Sequence, residues 1–167
     1  MPSRNRIALS ATIHCLTGCA IGEVLGMVIG TAAGWPNGAT VGLSIVLAFA
    51  SGYALTMRSL LASGVPGARA LRLALAADTI SIAIMEVVDN ALMLVIPGAM
   101  DAGIGSALFW GSLAISLGVA GMAAFPANRW LIGRGRGHAL VHGAQDDPGA
   151  HAPGAHDAHS HRFRMLR

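Results

Sequence analysis

The sequence predicts an all-α polytopic membrane protein, with four transmembrane helices in a bundle followed by a disordered His-rich tail. Three observations carry this. Apolar residues make up 54% of the 167 residues and charged ones only 11%, with a mean hydropathy of +0.60, whereas soluble domains carry about twice that share of charge. The apolar residues fall into four runs near the ~20 residues that cross a bilayer. Gly- and Pro-rich breaks separate the runs, and chain that faces lipid must be helical because its backbone polar groups find no other partners there.

The first run covers residues 7–33 and ends at Gly-Trp-Pro-Asn-Gly, where Pro36 cannot continue a helix. The second spans about 39–61 and stops at Ser63-Gly64-Val65-Pro66-Gly67. The third spans about 70–96, up to Pro97-Gly98, and the fourth about 103–125, where Pro126 is expected to close it. Arg4 and Arg6 ahead of an apolar stretch also suit a signal peptide, but the run is too long and too often interrupted by polar groups, so all four spans are kept. The expected organisation is a terminus over 1–6, a transmembrane domain over 7–132 and a tail over 133–167.

All eleven basic residues are arginine. Arg4 and Arg6 precede the first run, Arg58, Arg69 and Arg72 flank the second connection, and Arg129, Arg134 and Arg136 follow the fourth run; the first and third connections have none. The positive-inside rule then puts both termini in the cytoplasm, in a multi-pass protein of the cell's inner (plasma) membrane. Trp35, Trp110 and Trp130 fall at the expected interfaces, as an aromatic belt. The tail carries His138, His142, His151, His156, His159 and His161 without apolar periodicity. It is read as disordered, its irregularly spaced histidines suiting either loose metal binding or a plain solvated tail, and its removal is expected to leave the bundle intact. The sequence pI near 9.7 comes from loops and tail, and no nucleic-acid module is present.

Polar residues inside the spans point to function, because such groups are costly in hydrocarbon. In HCLTGCAIGE, residues 14–23, one helical face carries Cys15, Cys19, Glu23 and Met27 at spacings of four. The adjacent stripe, Gly18, Gly22, Gly26 and Gly30, is a small-xxx-small packing surface. In the third run Asp78, Met85, Glu86, Asp89 and Met93 fall within an arc of about 100°. The first and third spans run parallel in this topology, so their polar faces are expected to meet, with His14 and Cys15 level with Asp78, Cys19 with Met85 and Glu86, and Glu23 with Asp89 and Asn90.

No Arg or Lys lies among these groups, so either protons or a cation balance the carboxylates. A proton pathway leaves the cysteines and methionines without a task. A thiophilic ion of the copper or zinc class would use His14, Cys15 and Cys19 as first ligands, Glu23, Asp78, Glu86 and Asp89 as carboxylates, and Met85 and Met93 as weak sulfur ligands. Each residue taken singly also suits plain packing, since buried Cys and Met are common; their combination favours a site.

The stretches HCLTGCAIGEVLGM, FASGYALTMRSLL, LRLALAADTISIAIMEVVDNALMLVIPGAMDAG, FWGSLAISL and AFPANRWLIGRGRGHA resemble the DUF4396 family, small bacterial membrane proteins with an HC-x-x-G-C motif. The resemblance covers about residues 14–138 and implies a four-helix membrane domain without implying a reaction.

The leading expectation is therefore a membrane protein that binds or moves a thiophilic cation, its partners being the bilayer and a metal ion, with a homo-oligomer left open. Two alternatives stand beside it. Cys15 and Cys19 could cycle in membrane thiol redox chemistry, although a C-x-x-C motif is missing. The chain could also be a non-catalytic assembly subunit that docks a partner by its glycine face. No motif assigns catalysis, so an enzyme is the less favoured class.

Overall fold

The computed structural model describes residues 3–134 and 141. In order they form α1 (Arg4–Ala32), α2 (Asn37–Ala62), α3 (Gly67–Val95), a 3-10 turn (Ala99–Asp101) and α4 (Ala107–Gly133), with no strand among the described residues. The joints follow from residue type. Gly34 and Gly64 take φ of 67° and 83° just past α1 and α2, a region that a side chain disfavours. Pro36 and Pro66 then cap α2 and α3 in extended conformation. Ser106 caps α4, its hydroxyl accepting from the Phe109 N–H at 3.1 Å.

The fourth helix differs from expectation at both ends. The 3-10 turn and the Ser106 cap displace its start to Ala107, and it runs through Pro126 to Gly133 instead of stopping there. A proline removes one helical hydrogen bond, and neighbouring helices can hold a membrane helix through that defect. Here the Asn128 side chain, two residues on, ties α4 to α1 and α3.

Each helix is antiparallel to the next, so α1 and α3 run in the same direction. Gly18 lies opposite Gly52, and Gly30 opposite Thr40; Tyr53 on α2 hydrogen-bonds Thr79 on α3 at 2.9 Å. The glycine stripe is the α1–α2 seam. A Cβ on Gly18 would stand 2.7 Å from the Gly52 Cα, and one on Gly22, Gly26 or Gly30 would collide with Ala48, Ser44 or Thr40. The stripe is therefore covered by α2 and is not free to dock a partner, which removes the basis of the assembly-subunit expectation.

The bundle is inverted relative to a soluble protein. Its interior is built mostly from small and polar residues such as Ala11, Cys15, Cys19, Ala48, Ala74, Ser81, Ser116, Ala120 and Ala124, with Leu60, Ile82, Met85 and Phe109 as its largest buried side chains, while Val46, Val87, Leu94, Ile115 and Met122 point outward. Helices α1, α2 and α4 are long and apolar enough to cross a membrane. Helix α3 has the length, and its Asp78, Glu86 and Asp89 are buried within the bundle. This is a helical membrane bundle.

The up-and-down topology collects Arg4, Arg6, Arg58, Arg69, Arg72, Arg129 and Arg134 at one end. At that end Val141 is buried in a cluster with Leu60, Val65 and Ala70. Of the expected tail, Gly133 belongs to α4 and Arg134 caps it; the rest, apart from Val141, lies outside the described residues, including His138, His142, His151, His156, His159 and His161.

Candidate functional site

The polar faces of α1 and α3 meet inside the bundle and form a column in three tiers. Residues 15, 19 and 23 of α1 climb one turn at a time, about 6 Å per step, and each meets a different acid of α3.

The tier nearest the arginine-rich end joins all four helices. The Cys15 thiol donates to Asp78 Oδ1 at 3.8 Å and also contacts Ser81. Asp78 hydrogen-bonds Thr56 of α2, whose hydroxyl is 2.8 Å from His14 Nε2. A hydroxyl has one proton, so when Thr56 gives it to Asp78 the imidazole must be the donor to Thr56. Asn128 of α4 completes the tier, donating through its amide to Ser81 and to Thr12, both at 3.0 Å.

In the middle tier the Cys19 thiol contacts Glu86, and Ile82 and Met85 pack with both cysteines. Asn90 donates to Glu86 Oε2 at 3.4 Å and to the Glu86 carbonyl at 2.8 Å. Both thiols are free and buried, at 0% and 1% exposure.

At the far end Glu23 faces Asp89. They are 7% and 2% exposed, and both Glu23 oxygens and Asp89 Oδ1 have no hydrogen-bond donor. Two ionised carboxylates only accept, so such a pair needs a shared proton or a cation. Between residues 73 and 128, and between 7 and 57, the sequence has no Arg or Lys to serve. The pair opens on a cavity of about 40 Å³ whose wall combines Glu23, Met27, Asp89, Asn90, Met93 and Met100 with Ser44 and the apolar Val41, Ala99, Phe109 and Leu113, room for one ordered water or a small ion.

The structure brings together the residues singled out in sequence, level by level. It does not gather them into one coordination sphere. His14, Cys15 and Asp78 share the first tier, Cys19, Met85 and Glu86 the second, and Glu23, Asp89 and Met93 the third. Among the described residues no three His, Cys, Asp or Glu side chains could hold one metal ion. Each thiol instead has its own carboxyl partner on α3, Asp78 for Cys15 and Glu86 for Cys19. Thr12, Thr56, Ser81, Asn128 and Met100 complete the column and were not singled out in sequence. Isolated Ser and Thr in a span usually satisfy their own helix carbonyls and give no signal, and Asn128 follows a proline that read as a terminus.

No curated protein and no solved structure matches the chain. A family model described as a domain of unknown function, DUF4396, matches residues 4–137. The tiered column is thus carried by a chain that belongs to the DUF4396 family.

Proposed function

We propose that this is an inner-membrane protein with four membrane-crossing helices and both termini cytoplasmic, which binds a cation and passes it along the column between α1 and α3. The cargo is a metal ion of the copper or zinc class. The carrying observation is the Glu23–Asp89 pair, buried and facing across two helices, with both Glu23 oxygens and Asp89 Oδ1 lacking a hydrogen-bond partner and no Arg or Lys in the surrounding sequence. Burying such groups in a membrane is costly, and the usual return is an ion or proton path. The arginine-rich end supports the orientation through the positive-inside rule. Thiol redox chemistry fits less well, because both thiols are buried against carboxyl groups and neither is open to a disulfide or quinone.

Proteoliposomes carrying a metal-sensitive dye test this reading. Cu(I) or Zn(II) should enter faster than in protein-free vesicles, and Glu86→Gln, in the middle of the path, should slow entry about ten-fold or more. Entry no faster than in empty vesicles would overturn transport.

A further inference from the structure

We propose that the cavity beyond Glu23 and Asp89 is a thioether–carboxylate site that selects a soft monovalent cation, the Cu(I) class, over Zn(II). This rests on the reading of the column as a cation path and names its cargo and entry point. Three elements each contribute a methionine to its lining: Met27 stands one turn beyond Glu23 on α1, Met93 one turn beyond Asp89 on α3, and Met100 sits in the 3-10 turn. Three of the chain's eight methionines thus line a pocket whose polar wall is Ser44, Asn90 and the carboxyls of Glu23 and Asp89, three of whose four oxygens are buried without a hydrogen-bond partner. Met27 also packs against Phe109 and Leu113, while Met93 and Met100 line the wall beside the two acids.

Thioethers are soft, neutral ligands that favour Cu(I). Zn(II) is held by thiolate, imidazole and carboxylate in a four-ligand set, and the column's thiols and histidine lie in the lower tiers. Charge balance agrees. A carboxyl pair sharing one proton has net charge −1, so a monovalent ion neutralises it without displacing that proton. A divalent ion would require the proton to leave and would gain little from three thioethers.

Silver(I), a redox-inert soft ion, serves as the probe with full-length protein in detergent. Wild type should hold one more equivalent of Ag(I) than Glu23→Gln/Asp89→Asn, and X-ray absorption at the silver edge should show sulfur neighbours. Met93→Leu and Met100→Leu, volume-conserving and made singly so that the fold persists, should each weaken that equivalent about ten-fold or more, with Zn(II) binding unchanged. Full Ag(I) affinity in both methionine variants would overturn the site. Loss of the ion only in Cys15→Ser/Cys19→Ser would overturn it too, while leaving the cation path standing. Failure of the path itself would appear separately, as vesicle flux indistinguishable from background.

Discussion

At the scale of the residue, thiols, hydroxyls and amides in the column act as donors to carboxyl groups. Cys15 donates to Asp78, and Asn128 ties Thr12 to Ser81. Interhelical hydrogen bonds in membranes are worth ~0.6 kcal/mol on average and up to about 1.7. Asn128→Ala removes two and should cost about 1–2 kcal/mol, read from unfolding in mixed micelles. A cost near zero would mean that the tier is not holding α4 through Pro126. Burial of both thiols predicts that a maleimide reagent labels Cys15 and Cys19 only after denaturation, as mass spectrometry would show. Rapid labelling of the native protein would reopen the redox reading. The identities of Cys15, Cys19, Glu23 and the α3 acids were legible in the sequence, because polar residues at four-residue spacing in an apolar run need a reason. Their division among three tiers was not, since helical phase gives the face but not the partner at each level.

Among the elements, the α1–α2 seam makes the sharpest demand. A Cβ on Gly22 meets the Ala48 backbone, whereas nothing lies near one on Gly42. Gly22→Ala should therefore destabilise by about 1–3 kcal/mol through overpacking, and Gly42→Ala should be neutral or stabilising by up to about 1 kcal/mol. Equal behaviour of the two in thermal denaturation would contradict the seam. The sequence showed the glycine stripe as a packing surface but not which surface it packs on, since an α2 face of Thr40, Ser44, Ala48 and Gly52 carries little signal of its own. Pro126 reads as a boundary in sequence because proline ends helices in water far more readily than in a bundle, where side chains such as Asn128 hold the far side. Val141 revises the expectation for the tail. Ending the chain after Gly137 exposes Leu60, Val65 and Ala70 and should cost about 1–2 kcal/mol, whereas an unchanged melting temperature would make that contact incidental.

For the whole molecule, the inverted core, the arginines at one end and the buried acids of α3 together describe a bundle that spends its polar residues on its own axis. Reporter fusions after residues 36, 65 and 100 should read outside, inside and outside; any other order would remove the orientation, though not the column. The central claim is that the Glu23–Asp89 pair takes a cation, and the most direct measurement is the number of soft-metal equivalents bound per full-length chain, compared with Glu23→Gln/Asp89→Asn under identical conditions. Metal held elsewhere in the chain contributes equally to both proteins and cancels in the difference. A loss of one tight equivalent in the variant, with the fold preserved by circular dichroism, is the predicted result; identical stoichiometry and affinity in the two proteins would contradict the account.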